Sequence, residues 1–190
     1  MKNIAILASG SGTNAENIIK YFSNRMSAKV TFVLSNKREA LVLKRSTALN
    51  VESAFFDRND FYASPKVLEM IVSRNIDFIV LAGFLWLVPE NILKAYKGRI
   101  INIHPALLPS YGGRGMYGEK VHSAVIANRD KESGITIHYV NEKYDEGDII
   151  FQARCNIETT DTPETLAKKI HSLEYRHFPV VIEELILNMK

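Results

Sequence analysis

The chain has a single cysteine and no cluster of like charges, and each shortage excludes a class of function. Cys155 is the one cysteine among 190 residues, so no internal disulfide can form, and we interpret it as a small apolar strand residue. With no cysteine cluster and no His-x-x-x-His helix, we expect no metal site. The formal charge of +3 is spread along the chain without a run of five or six like charges, so we expect no nucleic-acid partner.

Long apolar runs and targeting signals are also missing. No apolar stretch approaches the roughly 20 residues needed to span a bilayer, so we expect no membrane partner. The first residues run directly into a strand pattern, without a basic n-region and cleavage site, and this predicts a cytoplasmic location. Apolar residues make up 46% of the chain and charged residues 24%, which is typical of a globular protein. The length suits one domain, and we assign residues 1–190 to it.

Strand-like and helix-like segments alternate along the chain. The strand-like segments are residues 3–8, 29–34, 51–56, 77–82, 99–103, 134–140 and 149–157. Helical patterns occur at residues 15–22, 39–50 and 119–128, after the N-cap Ser64 with Pro65 as the first helical residue, after Pro89, and from Pro163 onward with Thr162 as the cap. Nearly continuous apolar strands alternating with helices indicate parallel strands covered on both faces. The sequence therefore predicts an α/β fold with a doubly wound, mostly parallel sheet and antiparallel strands near the C-terminal half.

A glycine-containing loop, GSGTNA at residues 10–15, separates the first strand from the first helix. Such a loop lets backbone approach a phosphate, and the free N–H groups of the helix start attract its charge. A dinucleotide site would also need an acidic residue after the second strand, but residues 34–37 (LSNK) contain none. A phosphomonoester site is therefore favoured over NAD, with a tight turn that binds nothing as the remaining alternative.

Asn102 and His104 lie two residues apart on the fifth predicted strand, directly before Pro105. Side chains two apart share one face of a strand, and open α/β sheets bind ligands at the carboxyl ends of their strands. Together, an amide and an imidazole can donate hydrogen bonds to an oxygen that gains negative charge when a carbonyl is attacked. The imidazole can also move protons near neutral pH. Alternatively, the two residues have no catalytic function: His104 is an ordinary histidine at a strand end, and Asn102 is a capping residue beside it.

An acidic turn, KYDEGD at residues 143–148, follows the predicted strand that carries His138. If Asp145 lies near His104, its carboxylate favours the imidazolium and can hold a water that carries a proton from an attacking amine. From spacing alone, an ordinary Asp-Gly turn is the more common reason for such a sequence. His138 either extends this polar cluster or is a half-buried strand residue.

Over almost its whole length the sequence resembles the phosphoribosylglycinamide formyltransferase family. The shared motifs are SGSGTN at residues 9–14, SNK at 35–37, VLAGF at 80–84, INIHPALLP at 101–109, SGITIHYV at 133–140 and YDEG at 144–147. The Asn-x-His-Pro-x-Leu-Leu-Pro string is specific for folate-dependent formyltransferases and hydrolases, and the SGSGTN start narrows the resemblance to this branch. The resemblance implies a Rossmann-like fold and formyl transfer from 10-formyltetrahydrofolate to the amine of N1-(5-phospho-D-ribosyl)glycinamide, in de novo purine biosynthesis.

The resemblance also implies roles for individual residues. Asn102 and His104 would hold the developing oxyanion, while Asp145 would support His104 and the proton transfer. The implied ribonucleotide contacts are Gly12, Thr13 and Asn14 for the phosphate and Glu174 for the ribose hydroxyls. The implied folate contacts are Arg58, Leu85, Trp86, Leu87, Val88, Asn102, Asn141 and Asp145. Folate would act as a co-substrate without a metal, the partners would be small molecules, and the chain would be a monomer or homodimer.

Two features depart from the family pattern. Trp86 stands where many members have a basic residue. Residues 110–121 (SYGGRGMYGEKV) form a longer loop than usual, where we expect a mobile lid whose Arg114 or Lys120 could meet a substrate phosphate or a folate carboxylate. His122, which follows the loop, we interpret as a helix-start residue outside the catalytic set.

Three other functions are less favoured. Methionyl-tRNA formyltransferases share the Asn-x-His-Pro core but carry an extra C-terminal domain, whereas this chain ends after one long helix. Formyltetrahydrofolate hydrolases usually carry an added N-terminal domain, whereas this chain starts directly at a strand. A nucleotide-binding module without catalysis would not need polar residues at all three positions that match the family's catalytic residues, namely Asn102, His104 and Asp145.

Overall fold

The computed structural model describes residues 1–189, which form seven strands and seven helices. The strands are β1 (Lys2–Leu7), β2 (Ala28–Ser35), β3 (Glu52–Phe55), β4 (Phe78–Leu81), β5 (Ile100–His104), β6 (Glu132–Tyr139) and β7 (Ile149–Asn156). The helices are α1 (Thr13–Phe22), α2 (Leu41–Ala48), α3 (Arg58–Tyr62), α4 (Lys66–Val72), α5 (Glu90–Ala95), α6 (Glu119–Ala127) and α7 (Pro163–Leu187). No helix among these residues is long and apolar enough to cross a membrane.

All seven strands belong to one sheet in the order β3-β2-β1-β4-β5-β6-β7. The first five strands in this order are parallel, and β6 and β7 each run antiparallel to their neighbour. The predicted fold, mostly parallel with antiparallel strands in the C-terminal half, is confirmed.

Two hydrophobic clusters lie on opposite faces of the sheet. In β1, Ile4 and Ile6 belong to the cluster formed with α1, α6 and α7, while Ala5 and Leu7 belong to the cluster formed with α3, α4 and α5. Because successive side chains of a strand point to opposite faces, a strand buried on both sides must be apolar throughout. This requirement explains the continuous apolar runs in the sequence.

The structure differs from the sequence prediction at two helix starts, while the other predicted starts agree to within two residues. Helix α3 was missed because its five residues are too few for an apolar periodicity; a capping box between Asp57 and Asp60 begins it. Helix α4 begins at Lys66, so Pro65 is the N-cap rather than the first helical residue, and the prediction with Ser64 as the cap was wrong by one position.

The topology brings three strand ends to one edge of the sheet. Adjacent strands β1 and β4 continue into helices on opposite faces, which opens a crevice beyond their carboxyl ends. Strand β5 ends beside β4. Helix α7 packs against α1 and α6, so its middle lies near the start of α1.

Substitution of Gly134 tests how closely β6 and β7 are paired. A Cβ at this position would lie 2.0 Å from the Ala153 carbonyl oxygen and 2.7 Å from Leu107 Cδ2. We expect Gly134→Ala to lower the free energy of unfolding by about 1–3 kcal/mol, measured by urea denaturation, because the strands must move apart. Gly10→Ala is the matched control, since its Cβ would meet no atom within 4 Å. Equal stability of the two variants would contradict the close approach.

Candidate active site

A cavity of about 620 Å³ opens where β1, β4 and β5 end. Its walls come from residues 9–14, 82–86, 102–105, 113–118 and 144–145, together with Lys37, His122, His171 and Glu174. The glycine loop, the Asn102–His104 strand end and the acidic turn, which are far apart in the sequence, therefore meet around one space.

Asp145 lies between the two polar residues of β5. Its Oδ1 accepts a hydrogen bond from Asn102 Nδ2 at 3.3 Å, and its Oδ2 lies 3.5 Å from His104 Nδ1. His138, on the neighbouring strand β6, has its Nε2 3.1 Å from Asn102 Nδ2 and 3.6 Å from Asp145 Oδ1. The polar cluster therefore has four members, including the histidine that the sequence left undecided.

The turn that carries Asp145 is fixed by its backbone. Asp145 has a left-handed φ of 57°, which aspartate adopts more readily than most residues. Two residues later, a Cβ on Gly147 would lie 1.7 Å from the Tyr139 carbonyl oxygen, so only glycine lets the turn pack this closely on the end of β6. The Gly113 N–H donates to Asp145 Oδ2 at 3.0 Å and holds the carboxylate from the loop side.

His104 is buried, with 3% of its surface exposed. Its Nε2 lies 2.8 Å from the Tyr111 carbonyl oxygen. Because a carbonyl only accepts, this contact places a proton on Nε2 and leaves Nδ1 facing Asp145. Burial lowers the pKa of His104, and the Asp145 charge and the Tyr111 carbonyl only partly oppose it.

The Asp145 carboxyl is stabilised in its ionised form. Burial raises its pKa, but the contact with His138, the charge of His104 and the Gly113 N–H outweigh that effect, so the pKa lies below its usual value. Near neutral pH the cluster therefore holds a carboxylate beside a neutral His104 imidazole, which can accept a proton.

The glycine loop leads into α1, whose first residue is Thr13. Gly12 is the N-cap residue with a left-handed φ of 76°, and no side chain caps the helix, so its first N–H groups are left for a ligand or water. A Cβ on Gly12 would lie 2.4 Å from Val42 Cγ2 and 2.7 Å from Val42 Cα. The glycine is thus required for packing against α2, whether or not a phosphate binds.

Glu174 connects the long helix α7 to this loop. Its side chain is buried, and its Oε2 accepts hydrogen bonds from Asn14 Nδ2 and His171 Nδ1, each at 2.8 Å. The hydrogen bond to Glu174 raises the pKa of His171 against the effect of burial. Since both donors use the same oxygen, Oε1 is left for a further partner.

The residues with an implied folate role are only partly brought together. Leu85 and Trp86 line the cavity with Asn102 and Asp145, whereas four others do not, namely Arg58, Leu87, Val88 and Asn141. The Arg58 guanidinium lies 5.1 Å from the Tyr62 ring and 5.8 Å from the ring of Trp86, which lines the cavity. Val88 belongs to the hydrophobic core.

Other cavity residues had weak or no signal in the sequence. Arg114 lines the cavity, whereas Lys120 does not and packs its ammonium 4.9 Å from the Tyr117 ring. His122 and His171 also line it, although a single histidine on a helix gives no sequence signal of its own. Within residues 1–189, no group of three His, Cys, Asp or Glu side chains could hold a metal ion.

Comparisons with known proteins agree on one family. A profile of the family described as formyl transferase matches residues 2–182. A Bacillus subtilis protein named phosphoribosylglycinamide formyltransferase is 35% identical, with 98% of the chain and 95% of that protein covered. The chloroplastic protein of that name from Arabidopsis thaliana is 34% identical, and the match covers 95% of the chain but only 64% of that protein.

Solved structures give the same result. The crystal structure of phosphoribosylglycinamide formyltransferase from Bacillus halodurans has a TM-score of 0.88 at 37% identity, and the match covers 100% of the chain and 97% of that structure. The structure of the protein with the same name from Anaplasma phagocytophilum has a TM-score of 0.90 at 30% identity, with 98% and 87% covered.

Asp145→Asn should lower the pKa of His104 further, because the carboxylate is the main group that opposes the effect of burial. Asparagine tolerates the left-handed φ, so the turn is preserved. Titration of the histidine ring signals by NMR measures the change. His171, whose pKa is raised chiefly by Glu174, is the internal control and should not move. A His104 pKa equal to that of the unmodified protein would refute the interaction.

Proposed function

The chain belongs to the formyl transferase family, and from this premise we propose that it transfers a formyl group from 10-formyltetrahydrofolate to the amine of N1-(5-phospho-D-ribosyl)glycinamide in de novo purine biosynthesis. The observation that carries the proposal is the convergence of Asn102, His104 and Asp145 in a cavity that also contains the start of α1. An anion site and an acyl-transfer site within one space suit a phosphorylated acceptor.

The ribonucleotide is bound at the α1 side of the cavity. Backbone N–H groups at Gly12, Thr13 and Asn14 hold the phosphate, where the helix dipole favours negative charge. Glu174, buried and fixed by its two donors, accepts the ribose hydroxyls through its remaining oxygen.

The folate co-substrate supplies the formyl carbon and is bound on the opposite side, after β4. Leu85 and Trp86 offer it an apolar wall, and Asn102 and Asp145 offer polar contacts. Leu87, Val88 and Asn141 contribute through the backbone of their segments. Arg58, 5.8 Å from the Trp86 ring, pairs with the carboxylates of the folate tail outside the cavity. The 620 Å³ volume is within the range of small-molecule sites.

The three catalytic residues divide the chemistry. Asn102 Nδ2 donates a hydrogen bond to the formyl oxygen as negative charge grows on it, and so does His104 Nδ1 once the ring is protonated, while His104 Nε2 stays on the Tyr111 carbonyl. The ionised Asp145 takes up the proton that the attacking amine loses, directly or through a water, and stabilises positive charge on His104. As the amine nitrogen bonds to the formyl carbon, the bond from that carbon to the folate nitrogen breaks, and the proton passes to that nitrogen.

The proposal also covers the domain that carries the activity, its partners, its location and its oligomeric state. We assign the activity to residues 1–190 as one domain, supported by the single sheet that crosses the described chain. The partners are the two small molecules, the location is cytoplasmic, and the chain acts as a monomer or homodimer.

His104→Ala and Asp145→Asn should each lower kcat by about 10²–10⁴-fold, because each removes a group that acts on the transition state. Turnover is followed by the folate absorbance change with 10-formyltetrahydrofolate and the ribonucleotide. Binding of the ribonucleotide, measured by calorimetry, should remain largely intact.

Two matched variants serve as controls. His177→Ala removes a histidine outside the cavity, and Asp148→Ala removes an exposed carboxylate in the same turn as Asp145. Both should keep near-full kcat. Near-full kcat in either catalytic variant would show that its role is wrongly assigned. No turnover by the folded wild-type chain with both ligands bound would favour a binding module instead.

Trp86 is the only tryptophan in the chain, so its fluorescence reports on the folate side of the cavity alone. We expect tetrahydrofolate to change Trp86 emission in a saturable way, and the ribonucleotide alone to leave it nearly unchanged. Arg58→Gln should weaken the folate titration without altering ribonucleotide affinity, with Arg129→Gln, outside the cavity, as the control. Calorimetric folate binding without any change in emission would place the folate elsewhere.

A further inference from the structure

We propose that His122 binds a ribose hydroxyl of the ribonucleotide and, with Asn14 and Glu174, forms one wall that recognises the sugar diol. This inference rests on the proposed function, which supplies the ribonucleotide. His122 lies in the first turn of α6, on its buried face, and lines the cavity with 3% of its surface exposed.

Unpartnered buried atoms point to this wall. Among the described residues, four buried side-chain atoms lack a hydrogen-bond partner, namely Asn14 Oδ1, Asn36 Oδ1, His122 Nδ1 and Ser133 Oγ. Two of the four, on Asn14 and His122, belong to residues that line the cavity. A buried polar atom without a partner is costly, and a ligand that supplies the missing bond removes that cost.

The electrostatics of His122 favour a hydroxyl over an anion. Burial lowers the pKa of His122, and the charge of His171 lowers it further, against a smaller opposing effect of Glu174. A neutral imidazole has one donor and one acceptor nitrogen. A hydroxyl matches either nitrogen, whereas a phosphate oxygen only accepts, so it matches only the N–H and gains no ion pair from the neutral ring.

The neighbouring groups leave complementary positions free. Asn14 uses its Nδ2 on Glu174, so its Oδ1 remains an acceptor, and the hydrogen bonds of Glu174 all use Oε2, so Oε1 remains another. These two acceptors take the protons of two hydroxyls. His122 Nδ1, when it carries the ring proton, donates to one hydroxyl oxygen. We therefore assign the two hydroxyls of a vicinal diol to these three residues, which line one cavity.

His122 lines the same cavity as Glu174 and His104. The ring therefore borders the space that holds both the proposed ribose contact and the proposed catalytic histidine.

The test compares two substitutions of nearly equal disturbance. His122→Phe keeps a planar ring but has no nitrogen, and His122→Asn keeps a donor near the position of Nδ1. Calorimetry with the ribonucleotide should give about 10-fold weaker binding for His122→Phe and nearly wild-type binding for His122→Asn. In kinetics, KM for the ribonucleotide should rise while kcat and KM for the folate change little. Ser133→Ala, which removes an unpartnered buried atom outside this cavity, should leave binding unchanged.

Ribonucleotide analogues that lack one ribose hydroxyl identify which hydroxyl His122 contacts. In the wild type, the 2′-deoxy or the 3′-deoxy analogue should lose about 10-fold in affinity. In His122→Phe that same deletion should cost clearly less, because the hydroxyl then has only its contact with an acceptor of Asn14 or Glu174 to lose. Equal losses in both proteins, or unchanged binding by His122→Phe, would overturn the inference while leaving the proposed function intact. If the folded wild type bound folate but no ribonucleotide, both the inference about His122 and the proposed function would fail.

Discussion

A buried carboxylate stays ionised only if donors or positive charge surround it, and Asp145 receives them from three separate parts of the chain. Its Oδ1 is held by Asn102 of β5, with His138 of β6 nearby, and its Oδ2 by the Gly113 N–H of the loop, with His104 nearby. Moving any of these segments would leave charge in a poorly solvated site. The position of the acidic turn therefore constrains the strand ends and the loop together.

The sheet order provides the edge on which this arrangement is built. The chain leaves β1 and β4 toward opposite faces, so no helix covers the crevice between their ends. The antiparallel β6 then returns beside β5 and sets His138 opposite Asn102 in the register. A purely parallel continuation would have carried the acidic turn to a different place along the sheet.

The sequence predicted those features that depend on local geometry. The two-residue spacing of Asn102 and His104 was sufficient to place both at one cavity, and the apolar runs were sufficient to predict the sheet. Asp145 needed the family resemblance, because its neighbours come from segments far away in sequence. Helix α3 was missed because it depends on a capping box rather than on periodicity, and the start of α4 was misplaced by one residue. His122 gave no signal because a single histidine on a helix belongs to no motif or periodicity.

The loop after β5 holds the site through its backbone rather than its side chains. Tyr111 offers its carbonyl to His104 and Gly113 offers its N–H to Asp145. Tyr111 has a left-handed φ of 57°, and its hydroxyl donates to Asp130 at 2.7 Å, which anchors this strained residue from outside the cavity. Backbone contacts survive a change of side chain, but Gly113 has a left-handed φ of 93° and a Cβ on Gly112 would lie 2.6 Å from Leu108 Cδ2, so the sequence of the loop is restricted at these two positions. Its length is more tightly constrained, because an insertion between positions 111 and 113 would separate the two backbone contacts.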